Sequence, residues 1–384
     1  MFSFLVVLLV IASLVSGEVP SWEQTLGDGS TSGQAENNPL STRQGRFFPL
    51  FSVVRFKNSE CSGSSNINGT CFTRRECSNY GGTPSGTCAS RLGVCCVFQK
   101  TCGASTNVNN TYFINPNYPT TYNGGERCAL TVYRCNPDIC QLRLDFLDFS
   151  LSQPNVNGTC DNDFMLATGG ASSVPRICGE NTNQHVYVDF NEANPITISI
   201  DTNADFSFER RWNLRIQQIP CDSLWRAPNG CLQYYRSVTG TVMSFNYGTV
   251  VNPRAPMQGT REMANLRYGV CVRMALGYCS IEWSQSDKNS FTVSGDTGTL
   301  DTTYIGTEFA AMSGTECDKD FVIVPDPYAN GTAQIVDRFC GNGFTTKISS
   351  LKPFVLYVVT DADELRDFQN RGFVLMYRQL ACAV

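Results

Sequence analysis

The chain has one histidine, His185, among 384 residues. A Ser-His-Asp triad needs a histidine as its general base, and His185 sits in an alternating, strand-like run where a hydrogen-bonded sheet residue is the plainer reading. Neither Gly-Asp-Ser-Gly nor His-Glu-x-x-His occurs, so the serine and zinc hydrolase signatures are missing. Positive charge is also scarce: 29 Lys and Arg stand against 34 Asp and Glu, a formal net charge of −5. Without a basic surface there is no counterion-release driving force for nucleic acid, which is excluded as a partner.

Asp296-Thr-Gly298 has the form of an aspartic-protease triplet, but that chemistry needs two carboxylates sharing a proton. No second triplet exists, and the surrounding Ser-Gly-Asp-Thr-Gly-Thr reads as a turn between strands. No set of residues assembles a catalytic centre, and the expectation is that the protein is not an enzyme. Long apolar runs are confined to Phe2 to Val15, which is too short to span a bilayer and is followed by the small residues Ser16 and Gly17. Residues 1–17 therefore read as a signal peptide. The end of the chain, Arg-Gln-Leu-Ala-Cys-Ala-Val, lacks the tail of a lipid-anchor signal. A secreted, extracellular protein with no membrane anchor is expected.

What the chain does have is cysteine, 19 residues in three blocks. Behind a secretory leader such a count points to oxidative pairing rather than to metal or redox chemistry. Asn68, Asn109, Asn157 and Asn330 each open an Asn-x-Thr sequon, the acceptor of surface glycans. Residues 18–46 are rich in Gly, Ser, Thr, Asn and Gln and cannot bury enough surface to offset their ordering entropy, so they read as a disordered linker or pro-segment. Cleavage after Arg46 or a plain solvated linker both fit Arg43-Gln-Gly-Arg46. The apolar stretch Phe47 to Phe56 is too hydrophobic for a small module to hide alone and should dock elsewhere in the chain.

The rest of the chain repeats itself. Leu130-Thr-Val-Tyr-Arg-Cys135 and Cys140-Gln-Leu-Arg-Leu echo Leu266-Arg-Tyr-Gly-Val-Cys271 and Cys279-Ser-Ile-Glu-Trp. Further along, Cys160-Asp-Asn-Asp-Phe164 matches Cys317-Asp-Lys-Asp-Phe321, Arg176-Ile-Cys-Gly179 matches Arg338-Phe-Cys-Gly341, and Ile216-Gln-Gln-Ile-Pro-Cys221 matches Tyr377-Arg-Gln-Leu-Ala-Cys382. Short runs such as Ile196-Thr-Ile-Ser-Ile200 and Phe354-Val-Leu-Tyr-Val-Val359 alternate with period two between turn-rich segments. That pattern predicts antiparallel sandwiches with few helices: an all-β class.

Cys61, Cys71, Cys77, Cys88, Cys95 and Cys96 are separated by nine, five, ten, six and zero residues. Six cysteines permit fifteen pairings, but this order and spacing resemble the clip domain of arthropod immune and clotting proteins. The resemblance implies Cys61–Cys95, Cys71–Cys88 and Cys77–Cys96. In the repeats, Cys-x-x-Asp-Phe, a later Cys-Gly, a strand ending in Asp, and Arg371-Gly-Phe373-Val-Leu-Met-Tyr377 resemble CUB domains. The first copy keeps Asp201 but carries Arg211-Trp-Asn-Leu in place of Gly-Phe. The chain thus resembles insect secreted CUB proteins without a protease domain: a clip-like module over 47–98 and CUB-like jelly-roll sandwiches over 102–221 and 231–382.

The CUB resemblance implies Cys102–Cys128, Cys160–Cys178 and Cys317–Cys340. Cys135–Cys140 and Cys271–Cys279 lie at the ends of adjoining strand-like runs, where a bridge would clip a hairpin. Repeat logic joins Cys231 to Cys382 and leaves Cys221 odd, while Cys221–Cys231 is the alternative that frees Cys382. An odd thiol in a secreted protein points to a disulfide-linked dimer or to a misassigned pair. Many CUB domains bind calcium, and the resemblance places Asp163 with Asp201, and Asp320 with Asp361, at two of the ligand positions. The Glu position is Ser152 or Ser294, so a ligand and its charge are missing unless Asp161 or Asp318 turns inward. Otherwise these aspartates cap turns. Calcium is the one cofactor implied. The family resemblance implies a non-catalytic binder of an extracellular protein, in a protease or immune cascade. A structural glycoprotein of extracellular matrix, cuticle or gut lining is the other reading.

Overall fold

Alternation governs the strands. In Arg211–Pro220 the side chains of Trp212, Leu214 and Ile216 are buried while Arg211, Asn213 and Arg215 stay partly open, and Gly372–Ala381 repeats this with Phe373, Leu375 and Tyr377 inward. The computed structural model describes residues 55–64, 67–248, 261–294, 301, 303–329, 331–362 and 370–382. The leader, the 18–46 segment with Arg46, all of Phe47 to Phe56 but its last two residues, Asp296 and Asn330 lie outside them.

The N-terminal part holds β1 (Glu60–Ser62), β2 (Asn68–Phe72), α1 (Arg74–Asn79), β3 (Thr83–Cys88) and β4 (Gly93–Lys100). Helix α1 starts at a capping box, in which Thr73 Oγ1 accepts from the Glu76 amide at 3.2 Å and Glu76 Oε2 accepts from the Thr73 amide at 3.0 Å. The first sandwich follows: β5 (Ala104–Thr106), β6 (Thr111–Ile114), β7 (Arg127–Val132), β8 (Ile139–Ser150), β9 (Asp163–Thr168), β10 (His185–Asp189), β11 (Ile196–Thr202) and β12 (Arg211–Pro220). The second comprises β13 (Cys231–Tyr235), β14 (Thr239–Met243), β15 (Arg267–Val272), β16 (Tyr278–Gln285), β17 (Phe291–Thr292), β18 (Ala311–Ser313), β19 (Phe321–Ile323), β20 (Pro327–Ala329), β21 (Thr332–Ala333), β22 (Arg338–Gly341), β23 (Lys347–Ser349), β24 (Phe354–Val359) and β25 (Gly372–Ala381).

The fold is all-β, with almost no helix among the described residues. One sheet of the first sandwich runs β1-β2-β4-β6-β12-β8-β10, with β3 beside β4, and faces a sheet ordered β5-β7-β11-β9. The second sandwich stacks β13-β15-β24-β19-β22-β18 against β14-β25-β16-β23-β20-β21. Trp212 and Trp283 are the largest wholly buried side chains of the two interiors. The N-terminal knot does not hang free: β4 pairs in parallel with β6 through Phe98–Thr111, Gln99–Tyr112 and Lys100–Phe113, so its strands extend the first sandwich.

Nine disulfides consume all but one cysteine. Six join Cys61–Cys95, Cys71–Cys88, Cys77–Cys96, Cys102–Cys128, Cys160–Cys178 and Cys317–Cys340. The other three correct the sequence reading. Cys140 bonds Cys221 rather than Cys135, because the β8–β12 register sets Ile139 opposite Pro220 and brings the two Cα atoms to 4.8 Å. Cys279 bonds Cys382 rather than Cys271 for the same reason, with Tyr278 opposite Ala381. Cys231 bonds Cys271 rather than Cys382, since β13 runs parallel to β15 and their Cα atoms stand 5.6 Å apart. The odd thiol is Cys135, which is exposed, and neither Cys221 nor Cys382 is free.

Candidate functional site

The aspartates that sequence motifs single out fall into two unlike settings. Asp163 opens β9, wholly buried, and its carboxylate faces the buried guanidinium of Arg210 in a bidentate pair, Nε to Oδ2 at 2.9 Å and Nη2 to Oδ1 at 2.8 Å. The amides of Ser152 (2.9 Å to Oδ2) and Asn203 (3.3 Å to Oδ1) donate to the same oxygens. Asp201 leaves this cluster: its side chain accepts from Ser199 Oγ at 2.9 Å and stands 3.6 Å from Arg127 Nε at the surface. Asp161 does not turn inward either, because it is exposed and receives Asn155 Nδ2 and Thr159 Oγ1 in its own turn. Asp163 and Asp201 are therefore not gathered into one ligand set.

In the second sandwich the matching residues do meet. Asp320 is buried, and its Oδ1 accepts from the Asp361 amide at 2.7 Å, which ties the loop before β19 to the end of β24. Asp318 is exposed. Ser152 reaches the first cluster through its backbone only, and Ser294 adopts a left-handed backbone at φ 63°. Among the described residues no three His, Cys, Asp or Glu side chains gather around one point.

His185 lies at the junction of the sandwiches and is 5 % exposed. Its Nε2 lies 3.0 Å from the Tyr234 amide and 3.1 Å from the Tyr234 carbonyl, so one neutral tautomer accepts and the other donates. The rings of Tyr187 and Tyr235 pack edge-on at 5.6 and 5.0 Å. Burial, reinforced by the Arg143 charge and opposed by Asp145, pushes its pKa down to about 3. A ring held neutral, buried and engaged at its outer nitrogen is suited to structure rather than to proton transfer.

Polar links continue along the junction. Gln184 donates to the carbonyls of Met243 (3.2 Å) and Ser244 (3.1 Å), and Gln233 donates to Gln184 Oε1 at 2.8 Å. Asn246, wholly buried at φ 60°, gives its amide to Asn181 Oδ1 (2.7 Å), takes the Glu180 amide on Oδ1 (2.9 Å) and donates Nδ2 to Gln153 and to the Arg261 carbonyl. Gly179 permits this approach: at φ 77°, a Cβ there would lie 2.0 Å from Asn246 Oδ1. Beside the junction a cavity of about 510 Å³ opens between Tyr187, Asp189, Arg226, Arg267 and Tyr268.

Sequence reasoning placed His185 in a sheet but not at a junction, and it passed over Asn246 and Arg210. The last had a signal, two adjacent arginines where the second copy has Asn370-Arg371.

With the strand order in place, the second sandwich can be set beside known families. Residues 228–380 match the family model of the animal CUB domain. The chain thus carries a stretch similar to a CUB domain. In sequence, no curated protein matches it. Its structure is similar to the CUB1-EGF-CUB2 domains of rat MASP-1, at 12 % identity and a TM-score of 0.25 over 73 % of this chain and 99 % of that one. It is also similar to the human MASP-1/3 CUB1-EGF-CUB2 domain (16 % identity, TM-score 0.23, 70 % and 98 % covered). The full extracellular region of zebrafish Gpr126/Adgrg6 is a further neighbour (11 %, 0.25, 75 % and 37 %). Among the described residues no helix is long and apolar enough to cross a membrane.

Proposed function

We propose that this CUB-containing protein is a secreted, non-catalytic binder of another extracellular protein. The observation that carries the reading is the CUB family match over residues 228–380, because CUB domains are typically protein-interaction modules. The sole histidine supports the non-catalytic half of it, since His185 is buried, neutral and engaged with Tyr234. The binding is proposed to serve an extracellular protease or immune cascade, with the clip-like module as tether or regulator. Capture from extracellular fluid on the immobilised, unreduced protein tests it. Saturable recovery of one partner, competed by free protein and lost after reduction, is the expected result. Constitutive insolubility in matrix extracts with no saturable partner would favour the structural glycoprotein.

The odd thiol belongs to the same proposal, as a bridge between two copies through Cys135. The surrounding protein shields its sulfur enough to raise the thiol pKa above its ordinary range, so exchange is slow at neutral pH, yet the side chain remains exposed. Non-reducing electrophoresis of the secreted protein should show a dimer band that Cys135→Ser removes. A wild-type protein running only as monomer would reject the bridge.

A further inference from the structure

We propose that Arg210 serves as a built-in cation that holds the loop end of the first sandwich in place of calcium. The CUB resemblance puts a calcium ligand at Asp163, and a hard cation of that size asks for six to eight oxygens. An oxygen cage is indeed present. Besides both oxygens of Asp163, the carbonyls of Asn123, Asn203 (3.0 Å), Phe206 (2.8 Å) and Phe208 (3.0 Å) point at one centre. That centre is the guanidinium, whose five N–H groups meet all six of these oxygens, one hydrogen of Nη2 being shared between two of its three acceptors, with no accessible surface left. Asp163 is likewise spent on Arg210 and on the Ser152 and Asn203 amides.

A second feature of the chain is cut to the guanidinium. Gly124 crosses it at φ 88°, where a Cβ would lie 2.5 Å from Arg210 Nη1. A planar fork pays little extra entropy for each bond it forms and cannot lose its charge, so it secures the 123–124 and 203–208 loops without depending on metal concentration. Removing one partner of such a buried pair leaves an uncompensated charge, which is why the two residues act as one unit.

The test is amide hydrogen exchange on the full secreted protein, with calcium and with EDTA. In the wild type, protection of the 123–124 and 203–208 amides should be the same in both. In Arg210→Ala the same amides should exchange at least about tenfold faster, because more than one net hydrogen bond is lost, and millimolar guanidinium chloride or calcium should restore protection by re-entering the cage. Arg210→Lys, which keeps the charge without the fork, should fall between the two and replaces Arg210→Ala if that variant is not secreted. Calcium-dependent protection of these loops in the wild type would overturn the proposal. So would an arginine variant whose loops exchange at the wild-type rate.

Discussion

Asn246 shows how much one side chain can carry. It sits in a left-handed backbone that most residues avoid, and its amide and side chain are satisfied by residues from both sandwiches. Asn246→Ala would strand the Glu180 amide and the Gln153 and Arg261 acceptors in a buried junction and would force alanine into positive φ. Unfilled buried partners at about 1–3 kcal/mol each, softened by relaxation, predict a loss of about 2–4 kcal/mol. Urea unfolding checks it, and a loss below about 1 kcal/mol would mean that the junction adds little to stability. The same logic explains why a buried Arg210 is tolerated: each donor meets an oxygen, so the cost of burying the charge is offset within one cage.

At the scale of elements, β4 does two jobs. It closes the disulfide-stapled N-terminal module by pairing with β2 and β3, and its last three residues pair with β6. Tyr112 Oη donates to the Asn68 carbonyl at 2.8 Å and Thr70 Oγ1 to the Asn109 carbonyl at 2.8 Å, so the knot is bound by side chains as well. A chain beginning at Thr101 should therefore lose several degrees of thermal stability and associate through the bared edge of β6. Calorimetry with sedimentation measures both, and an unchanged midpoint with a monomeric profile would mean that the knot is an independent appendage. This coupling was not legible in the sequence, because parallel pairing between segments leaves no local pattern. The alternation of Arg211–Pro220 and the echo of Cys160-Asp-Asn-Asp-Phe164 in the second copy were legible, and they carried the all-β class and the repeat. The bridges show the boundary between the two cases. Cys140 and Cys221 occupy the same repeat positions as Cys279 and Cys382, so self-comparison alone held the answer, but proximity along the chain favoured Cys135–Cys140 until strand register decided. Aspartates at motif positions were legible as residues and not as ligands, since nothing local shows that Arg210 folds back onto Asp163.

Across the whole molecule the junction couples the two sandwiches to pH through their only histidine. Around His185 stand Arg143, Asp145, Tyr187, Tyr234 and Tyr235. Asp145 resists the effect of its own burial because Arg143, and then Arg215, hold its carboxyl below the ordinary range. A histidine whose pKa is depressed in the folded state binds fewer protons than in the unfolded chain. Its contribution is complete above the unfolded value near 6.5 and is lost progressively as pH falls toward about 3. Between pH 7 and pH 5 the histidine alone should remove about 2 kcal/mol, at roughly 1.4 kcal/mol per pH unit below 6.5. The Asp145 shift has the same sign and acts lower in the range. His185→Gln keeps a group that can bond Tyr234 but cannot titrate, so its unfolding free energy should fall less steeply over that interval. Urea titrations of both proteins at pH 7, 6 and 5 measure the difference in slope. Parallel pH profiles for the two proteins would show that His185 is not what couples the junction to acid.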